Sequence, residues 1–233
     1  MNLEMMNSLC VAVAVTLVAM AAGCAGINRL RYLGDPTVSP ATLAVEVCAS
    51  CHGVDGNATS PRFPRLAGQT RDYLLNQLTA FQGRAGMELS ARRLWGMGGG
   101  LTNLDARRMW RVADGLTTDQ MRGLADYYSK QSPMPNPINA WDVPRLELGR
   151  AIYQTGNTHP ALVTCQTCHG PEARGNGPLP RLAAQHSGYT VAQLLAFQGN
   201  QRGGPAGVAM QQSVTQLTRE QMDDVALFLQ SLP

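Results

Sequence analysis

The chain has little net charge, almost no lysine and no cysteine to spare. Its 233 residues carry a formal net charge of only +3, and Lys130 is the one lysine. Such a small charge gives no electrostatic reason to expect nucleic acid as a partner. Of its six cysteines, Cys10 and Cys24 lie near the N-terminus and the others form two short motifs. The body therefore lacks a further cysteine for a disulfide or a thiol nucleophile.

The sequence also lacks the strict apolar–polar alternation of β-strands, and helical periodicity takes its place. Thr117 with Gln120, and Thr218 with Gln221, match the capping box of a helix start. Apolar residues follow both boxes at helical spacing: Met121, Leu124, Ala125 and Tyr128, and then Met222, Val225, Ala226 and Leu229. Further helices are predicted at about 71–81 and 189–197, and before each cysteine motif. We therefore predict an all-α fold.

After its N-terminal segment the sequence is a tandem repeat. Three segments recur in the same order: 64–69 at 180–185, 78–83 at 194–199, and 116–121 at 217–222. Between the copies, Pro133, Pro135 and Pro137 predict a semi-rigid linker. The predicted organisation is a signal or anchor at 1–26, a tether at 27–40, a first domain at 41–131, a linker at 132–142 and a second domain at 143–233.

The N-terminal segment is typical of export from the cytoplasm. Residues 9–22 form an almost unbroken apolar run. The run is short for an ordinary membrane span and suits the h-region of a signal peptide, although no lysine or arginine precedes it. Residues 21–24 resemble a bacterial lipobox, in which Cys24 becomes the lipidated first residue. Ordinary signal-peptidase cleavage and an uncleaved anchor reaching about Ile27 are the alternatives. We expect a periplasmic protein, tethered to the membrane through its N-terminus.

Two copies of C-x-x-C-H, at residues 48–52 and 165–169, indicate the chemistry of the chain. Thiols at this spacing bond to the two vinyl groups of one haem, and the adjacent histidine becomes the proximal iron ligand. A single copy would also suit half of a zinc site or a redox dithiol. Two copies inside a longer repeat favour two covalently attached haem c groups. The predicted residues are Cys48, Cys51 and His52, and Cys165, Cys168 and His169.

Histidine is scarce, and this restricts the second iron ligand. Besides the two proximal residues the chain has only His159 and His186, both in the second half and both expected to be packed or surface residues. The first haem therefore has no distal histidine from its own half. Methionine is the natural alternative, because a thioether binds haem iron and raises its reduction potential.

The repeat register selects the methionines. Met121 and Met222 belong to the apolar face of the terminal helices and are expected in the core. This leaves Met210, eight residues before the cap Thr218, as the ligand of the second haem. The same count back from Thr117 selects Met109 for the first haem, with Met97 as its competitor.

The segment after each motif is expected to support the proximal histidine. A metal-bound histidine needs a partner for its other ring nitrogen, and a carbonyl about a dozen residues further on can supply one. The residues at that distance are Pro64 and Pro180. Leu66 and Leu182 would then pack on the haems, although a plain core role is equally consistent. Arg65 and Arg181 would either pair with haem propionates or lie on the surface.

Together these features resemble the cytochrome c4 family of dihaem cytochromes. The resemblance runs from about residue 43 to the C-terminus and is carried by C-x-x-C-H-G, F-P-R-L-A-G-Q at 63–69, Y-L-L-N-Q-L at 73–78, and the methionine eight residues before the terminal cap. It implies two class I cytochrome c domains related by a pseudo-twofold axis. It also implies His/Met ligation in each domain, with propionate edges facing each other. The segment 81–109 is longer than its mate, 197–210, and departs from this pattern.

We therefore predict an electron carrier without a small-molecule substrate, because a six-coordinate iron has no open position. The expected donor is a quinol-oxidising complex or a dehydrogenase, and the expected acceptor is a terminal oxidase. A subunit docked permanently in a dehydrogenase or oxidase complex is the first alternative. A dihaem enzyme is less favoured: a peroxidase needs a vacant or displaceable iron position, and thiosulfate dehydrogenases use a distal cysteine that this body lacks.

Overall fold

The computed structural model describes residues 30–82, 103–156, 163–202 and 205–233. The signal or anchor segment, Met97, His159 and most of the segment 81–109 lie outside these ranges. Within the described ranges the chain forms helices and no strand, with one isolated bridge between Asn176 and Leu179. None of these helices is long and apolar enough to cross a membrane.

The helices of the first half lead directly into its haem motif. A short 3-10 helix (Leu30–Tyr32) comes first, and Ser39 then caps helix α1 (Pro40–Leu43), whose first residue is proline. This helix continues through a π-helical turn (Ala44–Cys48) into α2 (Ala49–His52). Wide π turns often occur at functional sites, and this one ends at the first cysteine of the motif. The remaining helices are α3 (Arg71–Phe81), α4 (Asn103–Asp114) and α5 (Thr118–Ser129).

The second half repeats this order. A 3-10 helix (Ala140–Arg145) leads into α6 (Leu146–Thr155), and α7 (Cys165–His169) carries the second motif. Three helices follow: α8 (Ser187–Gln198), α9 (Pro205–Val214) and α10 (Arg219–Ser231). The helices predicted near 71–81 and 189–197 are confirmed, and the second begins at Ser187.

The terminal helix of each half is built as its sequence predicts. Thr117 and Thr218 each accept a hydrogen bond from the backbone of the glutamine three residues on, and both capping boxes are complete. The apolar face of each helix is buried. Met121 is 2% exposed and Met222 is 0% exposed, so both are core residues.

Among the described residues, each half shows a close helix crossing at which there is no room for a side chain. A Cβ atom at Gly149 of α6 would lie 2.1 Å from the carbonyl oxygen of Asp224 on α10. In the first half the glycine is on the other helix: a Cβ at Gly123 of α5 would lie 2.2 Å from Cγ of Pro40. Each crossing packs a helix that precedes a haem motif against the terminal helix of the same half.

Candidate haem sites

Each C-x-x-C-H motif lies on helical backbone, which places its two cysteines on one face. Cys48 ends the π-helical turn and Cys51 lies on α2, while Cys165 and Cys168 both lie on α7. Residues three apart on a helix are neighbours. All four thiols are free, so each pair is available for thioether bonds to a single porphyrin.

The two histidines of the motifs have the same partner in each half. Nδ1 of His52 lies 3.0 Å from the carbonyl oxygen of Pro64. Nδ1 of His169 lies 2.9 Å from the carbonyl oxygen of Pro180. Because a carbonyl only accepts, each Nδ1 carries the proton and each Nε2 keeps its lone pair for a metal.

Burial fixes the protonation of these groups. It lowers the pKa of His52 and of His169, and the proline carbonyls oppose that shift only in part. Both rings are therefore neutral, which is the form that binds iron. Burial also raises the pKa of the Cys48 and Cys165 thiols to about 11. A raised thiol pKa disfavours a redox dithiol. A zinc site is disfavoured because, among the described residues, no three histidine, cysteine or carboxylate side chains are grouped so that they could hold a metal ion. Two free thiols beside an imidazole with an available Nε2 fit a covalently attached haem.

The loop after each motif is anchored identically in the two halves. The amide of Leu66 donates to the carbonyl of Gly56, and the amide of Leu182 donates to the carbonyl of Ala173, both at 2.7 Å. Leu66 packs on the first core beside Cys48, and Leu182 packs on the second core beside Cys165. Each leucine therefore packs on the same core cluster as one attachment cysteine, and direct contact with the haem remains a prediction.

The two predicted methionine ligands lie on equivalent helices. Met109 is on α4 and Met210 is on α9, each directly before the terminal helix of its half, and both are half-buried. Met210 packs on a core cluster that contains Phe197 and Met222. Iron binding by Met109 and Met210 stays a prediction at this point. Met97, the competitor, lies outside the described residues.

Arg65 and Arg181 both donate hydrogen bonds to backbone carbonyls. The guanidinium of Arg65 donates to the carbonyl of Met134 in the linker at 2.6 Å, and to that of Ala184 at 3.3 Å. The guanidinium of Arg181 donates to the backbone oxygen of Pro233. Arg65 thus joins the first half to the linker and to the second half.

Sequence reasoning did not identify the role of His186, which is buried where the two halves meet. Its Nε2 lies 2.8 Å from the carbonyl oxygen of Ala58, so Nε2 carries the proton. Its Nδ1 lies 3.1 Å from the side-chain nitrogen of Asn136, and so accepts. Asn136 donates its other proton to Ala184 at 3.3 Å. The neutral ring thus joins the first half, the linker and the second half, and no pattern in the sequence marks it.

We expect this contact to weaken in acid. Burial, with a smaller contribution from the nearby Arg65 charge, lowers the pKa of His186, while the bond to Ala58 opposes the shift. The unfolded chain therefore binds the proton first, and the stabilisation is complete above about pH 6.5 and is lost as pH falls below it. Denaturant unfolding between pH 7.5 and 5 should show a smaller loss of stability for His186→Gln than for the wild type. Equal losses would contradict this assignment.

Gln69 and Gln185 are the other residues that sequence reasoning did not single out. They occupy the same position in the repeat, at the end of P-R-L-A-x-Q, and each binds the loop of the opposite half. Their recurrence was the available signal. It marks the residues as equivalent but does not show what they bind.

Comparison with known proteins agrees with this architecture. The family model described as Cytochrome c matches residues 41–132 and 146–233. The chain is 31% identical over 217 residues to cytochrome c4 of Azotobacter vinelandii, covering 89% of this chain and 94% of that protein. It is similar to the crystal structure of reduced recombinant cytochrome c4 from Pseudomonas stutzeri, with a TM-score of 0.67 and 27% identity over 84% of this chain and all of that one. It is also 31% identical over 189 residues to the "Thiosulfate dehydrogenase electron acceptor" of Thiomonas intermedia, covering 80% of this chain and 78% of that protein.

Two tandem helical domains, each with its own C-x-x-C-H motif, define a dihaem cytochrome c. The chain belongs to the cytochrome c4 family. It carries two covalently attached haem c groups, and it is an electron carrier, not an enzyme.

Proposed function

We propose that this chain transfers electrons between respiratory-chain partners in the periplasm, with a terminal oxidase as acceptor. In this proposal each iron is bound by one histidine and one methionine. Each haem, when bound, supplies an iron that changes between the ferric and ferrous states. The observation that carries the proposal is the repeated histidine–proline hydrogen bond, which leaves Nε2 of His52 and of His169 available.

The protein's part is to keep this exchange rapid and free of side reactions. His52 and His169 are each 5% exposed and fixed by a backbone carbonyl, so their rings need not reorient when the iron changes charge. Met109 and Met210, which lie in equivalent positions of the repeat, would each supply the second protein ligand to an iron. No position then remains for a reactant, as a carrier requires.

A second candidate is a dedicated acceptor bound to one dehydrogenase. It is favoured by the likeness to the "Thiosulfate dehydrogenase electron acceptor" of Thiomonas intermedia. The donor would then be that dehydrogenase instead of a quinol-oxidising complex. The chemistry at the two haems would be unchanged.

Stopped-flow mixing separates these candidates. The reduced full-length protein should be reoxidised rapidly by membranes that contain a terminal oxidase, with a rate that falls as ionic strength rises if charged surfaces steer docking. Reduction of the oxidised protein by thiosulfate dehydrogenase, without turnover by oxidase membranes, would favour the second candidate. Intact mass of the mature protein tests the membrane tether, which requires a lipid on Cys24 or a retained N-terminal anchor.

A further inference from the structure

One peptide group in each half has hydrogen bonds to both the haem site and the opposite half. The carbonyl of Pro64 accepts from Nδ1 of His52 at 3.0 Å. The N–H on the other side of the same peptide group belongs to Arg65, and it donates to Oε1 of Gln185 at 2.9 Å. A residue of the second half is thus two hydrogen bonds and one peptide unit away from the proximal histidine of the first.

The repeat carries the same arrangement in the opposite direction. The carbonyl of Pro180 accepts from Nδ1 of His169 at 2.9 Å, and the N–H of Arg181 donates to Oε1 of Gln69 at 2.7 Å. Gln69 belongs to the first half. In each half, the peptide group that binds the proximal histidine is therefore also bound by a glutamine from the other half.

Each glutamine binds the opposite half at two points, and its Oε1 also accepts from the next N–H in its own chain segment, Thr70 or His186. Nε2 of Gln185 donates to the carbonyl of Arg65 at 3.1 Å, and Nε2 of Gln69 donates to the carbonyl of Arg181 at 2.9 Å. Gln69 is 5% exposed and Gln185 is 8% exposed. Solvent therefore competes little for these peptides, and a low local dielectric strengthens the bonds.

The turn that places each glutamine is also repeated. Gly68 and Ala184 precede the glutamines with φ of 64° and 60°. Their amides donate to the terminal helices, at Tyr128 and Leu229 respectively, both at 3.0 Å. Alanine rarely adopts a positive φ, so the backbone at Ala184 is strained and the second half retains this turn at some cost in stability. In the first half a Cβ would lie 2.6 Å from Cγ of Pro133, which explains the glycine.

The two bonds on one peptide group are electronically linked. Because the C–N bond is conjugated, an N–H that donates leaves its carbonyl oxygen more negative. A more negative carbonyl accepts more strongly from Nδ1, which makes the imidazole a better electron donor to iron. Greater donation stabilises the ferric state and lowers the reduction potential.

We propose that Gln185 and Gln69 are positioning residues that tune the haems in a crossed manner: Gln185, in the second domain, lowers the reduction potential of the first haem, and Gln69, in the first domain, lowers that of the second. Each domain thus sets part of the redox balance of its neighbour. The inference rests on the proposed His/Met ligation, since the histidine can act on iron only as its ligand.

The test is a redox titration of the full-length Gln185→Met and Gln69→Met variants, followed by proton NMR of haem methyl groups assigned to each domain. Gln185→Met should raise the potential of the first haem relative to the second, and Gln69→Met should do the reverse. The ratio in which electrons divide between the two haems should change about twofold or more, because polarisation alters the strength of a hydrogen bond in an apolar setting by roughly 10–30%. The nearby His ring resonances should shift in the same crossed sense.

Gln230→Met is the matched control. Gln230 also binds two backbone groups, accepting from Ser187 at 2.7 Å and donating to Pro137 at 2.8 Å, but neither peptide contacts a proximal histidine. Its loss should leave the balance between the haems unchanged. A purely structural role for the interface glutamines would shift both haems together, or neither, and would overturn the proposal.

If Gln185→Met does not fold, Gln185→Glu replaces it. A carboxylate loses the donor that binds the Arg65 carbonyl, but it still accepts from the Arg65 N–H and does so more strongly. The potential of the first haem should therefore fall more than that of the second. Equal changes in both haems would overturn the proposal. An iron bound by a methionine sulfur gives a ferric absorption band near the red edge of the spectrum. If the wild type shows this band and the variants show no crossed shift, this inference alone is refuted. If the wild type lacks the band, the underlying His/Met assignment is refuted.

Discussion

Replacing Met210 with alanine should leave the second iron without its thioether. The ferric absorption band that a methionine sulfur gives near the red edge should fall to about half, and a high-spin signal should appear for one haem. The reduction potential of that haem should fall on the order of 100 mV or more, because axial ligands alone set haem potentials over about 0.8 V. Visible and electron paramagnetic resonance spectra with a redox titration measure all three changes.

Matched variants distinguish iron binding from packing. Met222→Leu alters a methionine that is 0% exposed in the core, conserves its volume, and should leave the band intact. Met109→Ala should remove the other half of the band, whereas Met97→Ala should not. A full band in Met210→Ala, or its loss in Met97→Ala, would show that the repeat register selects the wrong sulfur.

Gly149→Ala should destabilise the protein by about 3 kcal/mol, a large cost for adding one methyl group. The new Cβ would lie 2.1 Å from the oxygen of Asp224 and 2.7 Å from Cβ of Phe228. Neither is the end of a flexible side chain, so helices α6 and α10 would have to separate. Alanine is about 1 kcal/mol more favourable than glycine in a helix. The steric clash outweighs this gain, so the net change in the free energy of unfolding is a loss. Denaturant unfolding of the haem-loaded protein, followed by far-ultraviolet circular dichroism, measures the change.

Gly188→Ala is the control for that comparison. Gly188 also lies in a helix, α8, but its nearest atom for a new Cβ is Cβ of Pro61 at 3.8 Å. The substitution should be neutral or slightly stabilising, because ordinary contact distance leaves helix propensity to act. Equal stabilities of Gly149→Ala and wild type would mean that the helices are not in close contact at this crossing.

The parts of the structure predictable from sequence are those with local causes. The capping box at Thr218 and the face from Met222 to Leu229 depend on residues no more than seven positions apart, and both are present. The hydrogen bond between His52 and Pro64 spans only 12 residues and recurs in the repeat. Local patterns of this kind constrain backbone that is close in sequence.

The contacts between the halves could not be predicted in this way. Gln185 binds backbone groups of Arg65, 120 residues away. Backbone N–H and C=O groups are the same at nearly every residue, so no complementary side-chain pattern marks the partner. His186 is similar, because a carbonyl and an amide satisfy its two nitrogens. The sequence shows that Gln69 and Gln185 are equivalent, and only the fold shows what they bind.

The most direct test is to count the thioether-ligated irons in the oxidised wild-type protein. Near-infrared magnetic circular dichroism, calibrated against total haem and combined with electron paramagnetic resonance, gives that number. The His/Met assignment for His52 with Met109 and His169 with Met210 predicts two such irons in each chain and no high-spin fraction. One thioether-bound iron, or none, would contradict it.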